Sequence, residues 1–312
     1  MSTPIATVPN DLLSLGDWSK DAVAQVLERA ASIKASPNEY ATSLEGLHAV
    51  MVFEKPSLRT RLSFEIGIAK MGGKTLFYDT GGEQLGQRET VHDYAKVIER
   101  YADCVIARVF SQEALKEFAD VSQVPVVNAL SDLYHPCQAL ADMLTLREWC
   151  AQNRFGVNEL RVCYVGEGNN VAHSLMLVCA KMGVPEFTWI GPRGYEPNAA
   201  VTDLCERDGM SVKQSQDLAA SAGSHAIYTD AWISMGDEHK AEMQRASFRP
   251  YTVDAKVMSS AADGAVFMHC LPAHRGEEVT DEVIDSKASL VFDQAENRMW
   301  AQNGLLVEMM SR

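Results

Sequence analysis

The stretch LHAVMVFEKPSLRTRLSFEIGIAKMGGKTLFYD, residues 47–79, predicts the fold of the first part of the chain. The apolar runs at 47–53 and 75–79 are typical of buried strands. The segment between them has the apolar spacing of a helix and ends at Gly72 and Gly73, a common helix stop signal. A strand, a helix and a second strand in this order form the repeating unit of a parallel sheet with right-handed crossovers.

The same alternation continues to the end of the chain. Further apolar runs predict strands at 104–109, 124–130, 161–168, 187–191, 225–232, 265–272 and 289–296. A long helical segment at 135–153 separates two series of strands, so we place a domain boundary near its end. The sequence therefore predicts an α/β protein with two doubly wound parallel-sheet domains and an active-site cleft between them. The segment from residue 295 onward is helical, and its pattern leaves open which domain it packs against.

The composition argues against several classes of protein. The 312 residues include 42 acidic and 28 basic side chains, which gives a net charge of −14. A surface this negative repels nucleic acid and anionic membranes, so we expect neither as a partner. No apolar run approaches the roughly 18 residues that span a bilayer, and the N-terminus lacks a secretory signal pattern. The seven cysteines are dispersed without a CxxC pair, which is typical of a reducing compartment, so we expect a cytoplasmic protein.

An unusual cluster of cations opens the helix that follows the first strand. Ser57 has the position of an N-cap, and Arg59 and Arg61 then fall in the first turn. The N–H groups at this end of a helix already carry positive charge, so two arginines are unfavourable there unless an anion binds. Hydroxyls, backbone N–H groups and guanidinium forks all match the oxygens of a phosphate group. The alternative is a solvated basic turn, but a nucleotide P-loop is excluded because GxxxxGK[ST] is absent.

Further polar side chains follow other predicted strands, at the sheet edge where open α/β folds bind ligands. Arg108 ends the third strand, where a second cation could reach the same anion. His135 and Gln138 begin the next helix, and a neutral imidazole and an amide can hydrogen-bond a carbonyl and an NH2 group. Arg298 is predicted at the start of the last helix, again a cation near a helix N-terminus. Each of these residues also has an ordinary structural interpretation, as a surface arginine or as part of a helix cap.

The segment VGEGNNVAHS, residues 165–174, is similar to a dinucleotide-binding turn but lacks its fingerprint. The motif G-x-G-x-x-G/A requires glycine or alanine at its sixth position, which is Val171 here. Asn169 and Asn170 offer neutral donors and acceptors instead of a pyrophosphate cradle. An NAD-dependent dehydrogenase is therefore kept only as a remote alternative.

Two loops in the second half of the chain carry a carboxylate and a thiol. One predicted strand is followed by Asp230, Ser234 and Met235. The carboxylate and the hydroxyl of this loop could bind an ammonium group. Cys270 follows another strand, in the segment MHCLPAHRGEE. The histidines and glutamates of this segment make a zinc site conceivable. However, the histidine and cysteine are adjacent, and no partner pair elsewhere has a matching spacing, so a thiol in an active-site wall is favoured.

These motifs occur in the order found in a known family, and the chain resembles the aspartate/ornithine carbamoyltransferases. The resemblance runs nearly end to end and rests on DLLSLGDWS, FEKPSLRTRLSFE, SDLYHPCQALADMLTL, GEGNNVAHS, TDAWISMGDE, HCLPAHRGEEV and DQAENRMWAQ. It implies transfer of a carbamoyl group from carbamoyl phosphate to an amine, with no metal or organic cofactor, in a catalytic homotrimer. It also implies a carbamoyl-phosphate-binding domain at 1–148, on which the C-terminal helix 296–312 packs, and an ornithine-binding domain at 149–295.

The resemblance also implies roles for individual residues. The residues implied for carbamoyl phosphate are Ser57, Leu58, Arg59, Thr60, Gln84, Arg108, His135, Gln138, Cys270, Leu271 and Arg298. The residues implied for the α-amino and α-carboxylate groups of L-ornithine are Asn170, Asp230, Ser234 and Met235. Among these, catalysis is implied for Arg108, His135, Cys270 and Arg298. Gln84 is implied to reach the phosphate in a neighbouring subunit's site.

The identity of the amine is a finer question. The DAWISMG motif favours free ornithine, which would give L-citrulline and phosphate in arginine biosynthesis or catabolism. An aspartate enzyme would need cations for a second carboxylate where this chain has HCLPA, and a putrescine enzyme would have no need of the DAWISMG loop. Leu58 stands where ornithine enzymes commonly carry Thr or another small residue, which keeps N-acylated ornithine open as an alternative. A non-catalytic relative would be expected to lack site residues, and none is missing.

Overall fold

The computed structural model describes residues 7–233 and 241–310, which fall into two compact units. The first unit consists of residues 1–144 and 296–312, and the second of residues 145–295. In the described part of the chain, none of the helices combines the length and the hydropathy that a bilayer crossing requires.

The first unit is built on a four-stranded parallel sheet with the strand order β2-β1-β3-β4. Its elements in chain order are α1 (Lys20–Ala35), β1 (His48–Phe53), α2 (Leu58–Lys70), β2 (Lys74–Asp79), α3 (Val91–Ile98), β3 (Cys104–Arg108), α4 (Gln112–Val121), β4 (Val126–Leu130) and the first part of α5 (Pro136–Gln152). The strand order reverses between β1 and β3. The loops after these two strands therefore meet at the point where open α/β sheets bind ligands.

The central strands of this sheet are buried, which explains their unbroken apolar sequence. β1 pairs in parallel with β3 from Ala49 opposite Cys104 to Phe53 opposite Arg108, and every residue of β3 is buried. Parallel strands that are covered on both faces read as continuous apolar runs, not as alternating ones. The runs at 47–53 and 104–109 are therefore correctly predicted as strands.

The second unit is built on a five-stranded parallel sheet with the strand order β7-β6-β5-β8-β9. Its elements in chain order are β5 (Arg161–Val165), α6 (Asn170–Lys181), β6 (Glu186–Ile190), α7 (Ala199–Arg207), β7 (Ser211–Ser215), β8 (Ala226–Thr229), α8 (Ala241–Phe248), α9 (Ala255–Ser260), β9 (Val266–His269), α10 (Asp281–Ile284) and the first residues of α11 (Val291–Met310). The strand order reverses between β5 and β8. The loops after β5 and β8 are therefore the expected ligand loops of this unit.

The prediction of two parallel α/β sheets is confirmed, and the long helix predicted at 135–153 is α5. The strand predicted at 289–296 is wrong, because Ser289 forms only an isolated bridge with Phe267 and α11 begins at Val291. A short apolar run cannot distinguish a strand from the buried side of a helix. Strand β7 was not predicted, because its SVKQS sequence is polar and it lies at the edge of its sheet.

Candidate active site

The loop after β1 turns directly into the N-terminus of α2. Ser57 is the N-cap, as predicted: its Oγ accepts the N–H of Thr60 at 3.3 Å and donates to Thr60 Oγ1 at 3.0 Å. Thr60 is fully buried, Ser57 and Arg59 are half-buried, and Leu58 is 71% exposed. This first turn therefore places two hydroxyls and the helix N–H groups at the ligand-binding edge of the sheet.

Arg61, the second arginine of this turn, has partners on the surface of the first unit. Its Nε donates to Oε1 of Glu65 at 3.0 Å, one turn along α2. Its guanidinium carbon lies 4.0 Å from the centre of the Phe77 ring, and its side chain is 47% exposed. These contacts offset the repulsion between Arg61 and the helix N-terminus. They favour a structural role for this arginine over contact with a ligand.

Arg298 connects α2 with α5 inside the first unit. Its Nη1 donates to Oε1 of Gln138, and its Nη2 donates to Oγ1 of Thr60 at 2.8 Å. Gln138 in turn donates from Nε2 to Oδ1 of Asp142 at 2.8 Å. All four side chains are at most 3% exposed. The prediction that Arg298 begins the last helix is wrong: α11 begins at Val291, so this arginine lies about two turns inside the helix.

His135 is held as a neutral imidazole at the start of α5. It is 5% exposed. Its pKa lies well below the usual 6.5, first because burial penalises the imidazolium. The positive charges of Arg298, Arg108 and Arg59 lower the pKa further. Three guanidinium groups therefore act on one uncharged ring, which can still donate one hydrogen bond and accept another.

The low pKa of His135 predicts a measurable acid sensitivity. Below about pH 6.5 the unfolded chain binds a proton at this residue that the folded protein does not bind. The free energy of unfolding therefore decreases as the pH is lowered. For one buried group this loss approaches about 1.4 kcal/mol per pH unit. Urea denaturation at pH 7 and pH 5 should show a smaller loss of stability in His135→Asn than in the wild type. Equal losses in the two proteins would contradict the assignment.

Gln84 lies in the exposed loop between β2 and α3, residues 80–90. Its N–H donates to Oε1 of Gln87 at 3.0 Å, and its side chain is exposed. The hydrogen bond described for Gln84 stays inside its own loop. The implied contact with the phosphate in a neighbouring subunit therefore stays a prediction.

A second cluster forms where the strand order of the second unit reverses. Asn169 is the N-cap of α6, since its Oδ1 accepts the N–H groups two and three residues further on at 3.0 and 3.1 Å. Its Nδ2 donates to Oδ2 of Asp230 at 3.1 Å. The Sγ of Cys270 donates to Oδ1 of the same carboxylate at 3.0 Å. Side chains that follow β5 and β9 thus converge on Asp230, which follows β8.

Asn169 is the residue of this cluster that the sequence did not assign to the site. Asparagine is among the preferred N-caps, so its position just before an apolar helical run could have indicated a capping role. Asn170, which was assigned, is the half-buried first residue of α6. Ser234 and Met235 lie outside the described residues.

A buried pair fixes the turn that carries Cys270. Leu271 has a left-handed backbone (φ +57°), which is uncommon for a residue with a side chain. Its N–H donates to Nδ1 of His269 at 2.8 Å, so the ring carries its proton on Nε2, which faces Oε1 of Glu278 at 3.1 Å. Both His269 and Glu278 are fully buried. The pair therefore holds Leu271 in its left-handed conformation.

The same bonds weigh against zinc at Asp230, His269 and Cys270. Asp230, His269 and Cys270 each have one possible ligand atom within 4.8 Å of the others. Both ring nitrogens of His269 are engaged by Leu271 and Glu278, and the thiol donates to Asp230. Zinc would have to break these bonds, because it binds deprotonated thiols and a free imidazole nitrogen. The donor set is therefore that of a hydrogen-bonded site.

The glycine turn after β5 also differs from a dinucleotide site in its packing. A Cβ at Gly168 would lie 2.2 Å from the backbone nitrogen of Pro197 and 2.5 Å from the carbonyl carbon of Glu196. In a dinucleotide-binding turn the second glycine leaves room for the pyrophosphate. Here the chain at 196–197 takes that room. Gly168 therefore allows close packing against the chain at 196–197, which weighs against the dehydrogenase alternative.

Comparison with known proteins identifies two domains of one family in this chain. The carbamoyl-P binding domain of aspartate/ornithine carbamoyltransferase matches residues 10–148, and the Asp/Orn binding domain of that family matches residues 158–309. The chain is 46% identical over 303 residues to an ornithine carbamoyltransferase of Shewanella oneidensis, covering 96% of this chain and 99% of that protein.

Solved structures give the same relationship. The ornithine carbamoyltransferase from Pyrococcus furiosus is 42% identical, covers 98% of this chain and 99% of its own, and superposes with a TM-score of 0.92. A mutant of N-acetyl-L-ornithine transcarbamylase complexed with PALAO is 28% identical, covers 97% of this chain and 100% of its own, and has a TM-score of 0.86. The sequence motifs, the two parallel sheets and these matches together place the chain in the aspartate/ornithine carbamoyltransferase family.

Proposed function

We propose that the protein transfers the carbamoyl group of carbamoyl phosphate to the Nδ amine of L-ornithine, giving L-citrulline and phosphate. The observation that carries this proposal is the buried Arg298, which bonds Thr60 of α2 and Gln138 of α5. Its charge also acts on the neutral His135. Cations, hydroxyls, an amide and an uncharged imidazole suit a small anion that carries a carbonyl and an NH2 group.

The two substrates are assigned to different domains. We assign carbamoyl phosphate to the domain at 1–148 together with the C-terminal helix 296–312, and ornithine to the domain at 149–295. The family matches to residues 10–148 and 158–309 support a boundary between residues 148 and 158. The compact unit formed by residues 1–144 and 296–312 supports grouping the C-terminal helix with the first domain. The reaction as proposed requires no metal or organic cofactor.

The phosphate group is proposed to bind at the N-terminus of α2. The N-cap Ser57 and the buried Thr60 supply hydroxyls, and Arg59 and Arg108 supply guanidinium groups. A dianion there offsets the repulsion between Arg59 and the positive helix end. Leu58 contributes through its backbone, since its side chain is 71% exposed.

The carbamoyl group is proposed to bind to His135 and Gln138. The neutral imidazole donates to the carbonyl oxygen. Oε1 of Gln138 already accepts from Arg298, and its second lone pair is available to the carbamoyl NH2 group. The bond from Gln138 Nε2 to Asp142 fixes which end of the amide faces the ligand.

The chemistry begins with the neutral Nδ atom of ornithine attacking the carbamoyl carbon. As the C–N bond forms, negative charge grows on the carbonyl oxygen, where preorganised donors are worth about 3 kcal/mol each. Arg108, His135 and Arg298 are the proposed donors, and Cys270 and Leu271 line the region of the attacking amine. The C–O bond to phosphate then breaks, and the leaving phosphate takes the proton of the amine. Binding two substrates in register supplies much of the remaining rate enhancement.

Asp230 is proposed to bind the α-ammonium group of ornithine. Asn170, Ser234 and Met235 are proposed to complete the binding of its α-amino and α-carboxylate groups. The carboxylate of Asp230 is oriented by Asn169, by Cys270 and by the N–H of the next residue at 2.8 Å. Three donors leave further lone pairs of the two oxygens for a ligand. A carboxylate oriented in this way binds a cation without further reorganisation.

Replacing Asp230 with asparagine should raise the KM for ornithine by about 10- to 100-fold, because a hydrogen bond between two charged groups is lost. The KM for carbamoyl phosphate should stay within about threefold, because the phosphate-binding groups are unchanged. Asp203→Asn, which removes an exposed carboxylate of α7, is the matched control. Steady-state kinetics with each substrate varied in turn would refute the assignment if the effect fell on carbamoyl phosphate.

The choice of amine is tested by comparing four acceptors under the same conditions. Phosphate release should be fastest with L-ornithine and much slower with N-acetyl-L-ornithine, putrescine and L-aspartate. The identities support this order, since the similar proteins at 42–46% identity are named ornithine carbamoyltransferases and the N-acetylornithine enzyme is 28% identical. A higher kcat/KM with N-acetyl-L-ornithine would replace ornithine by the N-acylated alternative. Phosphate release no faster than in buffer with all four amines would refute the proposed activity.

We further propose that the protein is a homotrimer in the cytoplasm. An apolar groove of about 680 Å³ lies along the edge strand β2, where Leu76 is 61%, Val97 52% and Tyr101 79% exposed. Apolar surface of this kind commonly marks an interface. Light scattering should give a mass near three times 34.3 kDa, and a monomer at assay concentrations would contradict the trimer. Seven free cysteines, six of them buried, support a reducing compartment.

A further inference from the structure

Glu54 holds two loops of the first unit through one buried carboxylate. It follows the last residue of β1 and is 5% exposed. Its Oε1 accepts the N–H of Leu85 at 2.5 Å, and its Oε2 accepts the N–H of Phe110 at 2.6 Å. Its own N–H donates to the carbonyl oxygen of Arg108 at 2.9 Å. One residue thus joins the turn into α2, the loop 80–90 and the segment after β3.

The loop 80–90 depends on this carboxylate for its position. Leu85 is the point of attachment twice over, because its N–H is bound by Glu54 and its side chain packs against the core that contains Val91 and Val105. Among the described residues, the other hydrogen bonds of residues 82–90 stay inside the loop or cap α3. Loss of the bond to Glu54 would therefore remove one of the two attachments of the segment that carries Gln84 and loosen it.

The charge of Glu54 works against the ligand that we propose for this unit. A carboxylate near the turn that carries Arg59 weakens the attraction of that turn for an anion. Burying a carboxylate also costs free energy, which here is offset by its two backbone hydrogen bonds. The benefit of a glutamate at this position must therefore lie in the geometry that it imposes. Both oxygens are used, and each is used on a different loop.

We propose that Glu54 is a positioning residue for carbamoyl phosphate: it fixes the segment at Phe110 relative to the turn from Ser57 to Thr60 in its own subunit, and it fixes the Gln84 loop for the site of the neighbouring subunit. This inference rests on the proposed function. A loop that is ordered before the substrate arrives does not have to be ordered by binding, so affinity increases. The residue acts through backbone groups, not through contact with the substrate.

Two substitutions separate geometry from charge. Glu54→Gln keeps the shape but has a single acceptor oxygen, so one of the two backbone N–H groups faces an NH2 group. Glu54→Asp keeps the charge but is one methylene shorter, so it cannot reach both loops. Both variants should raise the KM for carbamoyl phosphate by about tenfold or more and leave the KM for ornithine within about twofold. Glu83→Gln, which removes an exposed carboxylate from the same loop, should leave both KM values unchanged.

The alternative that Glu54 acts through its charge predicts the opposite sign. Removing a negative charge near an anion site would lower the KM for carbamoyl phosphate in Glu54→Gln and leave it unchanged in Glu54→Asp. Either of those results would overturn the positioning role. The unchanged KM for ornithine is the internal control for the rest of the site, because a general distortion of the folded enzyme would raise both KM values.

Amide hydrogen exchange measures the proposed tether without any assay of activity. In Glu54→Gln, the N–H groups of Leu85 and Phe110 should exchange at least about tenfold faster than in the wild type. The N–H of Val105, bonded to Pro125 inside the sheet, should be unaffected. Faster exchange with an unchanged KM, in an enzyme that transfers carbamoyl groups to ornithine, would overturn the positioning role and leave the proposed function standing. A wild type without carbamoyl transfer would overturn both.

Discussion

Replacing Arg59 with methionine is expected to lower kcat/KM for carbamoyl phosphate by about 10³-fold or more while leaving the protein folded. The arginine is the second residue of α2, is half-buried, and its charge reaches His135. We propose that it binds the phosphate dianion in the ground state and does so more strongly in the transition state, where charge grows on the leaving phosphate. The effect should therefore appear in both KM and kcat.

The stability of the Arg59→Met variant should change little. The arginine opposes the helix dipole, but it also interacts with other groups of the protein, so we expect its removal to change the free energy of unfolding by less than about 1 kcal/mol. Arg61→Met is the comparison within the same turn. Its guanidinium is engaged by Glu65 and Phe77 on the surface, so we expect an activity within about tenfold of wild type and a small loss of stability. Kinetics and urea denaturation of both variants would contradict the assignment if Arg61→Met were the more damaged enzyme.

Replacing Arg298 with methionine is expected to lower kcat by about 10³-fold. The side chain is 3% exposed and donates to Thr60 and Gln138, which lie on two other helices. Its loss leaves Oε1 of Gln138 without this donor, at about 1–3 kcal/mol, while Thr60 keeps its bond from Ser57, so the variant should also be less stable. The pKa of His135 should rise toward its usual value, because Arg298 is the strongest of the charges that lower it.

Arg298→Lys distinguishes the charge of this residue from its shape. Lysine keeps the positive charge but lacks the planar fork that bonds two acceptors in fixed directions. We expect at least a 10²-fold loss of kcat in this variant, since both Thr60 and Gln138 must be held at once. Arg100→Met, at a side chain that is 78% exposed, is the control for the loss of an arginine. A lysine variant with wild-type kcat would mean that the charge alone is sufficient.

Local signals in the sequence predicted the parts of the site that depend on local backbone structure. Ser57 could be identified as an N-cap because only a few residue types, serine among them, are favoured at that position. Arg108 and Asp230 could be placed at the sheet edge because each follows an apolar run that forms a buried strand. The alternation of strands and helices fixed the parallel arrangement for a similar reason, since each crossover is a local unit.

Contacts across long sequence separations were not predictable in the same way. Arg298 bonds Thr60 across 238 positions, and no periodicity in either segment indicates that pairing. The apolar run at 289–296 suggested a strand and thereby displaced the start of α11, so Arg298 was placed at a helix end. Glu54 was overlooked because it accepts two backbone N–H groups from other loops. Nearly every residue has a backbone N–H, so the residue types do not indicate which of these groups a carboxylate binds.

Carbamoyl transfer itself is best followed with carbamoyl phosphate labelled with ¹³C at its carbonyl carbon. With the wild-type protein and L-ornithine, ¹³C NMR should show the labelled carbon moving into the ureido group of citrulline, with one phosphate released for each citrulline formed. The same mixture with Arg59→Met should show only the slow spontaneous decay of carbamoyl phosphate. A wild-type protein that leaves the label to decay at the rate seen in buffer, with ornithine present, would contradict the proposed function.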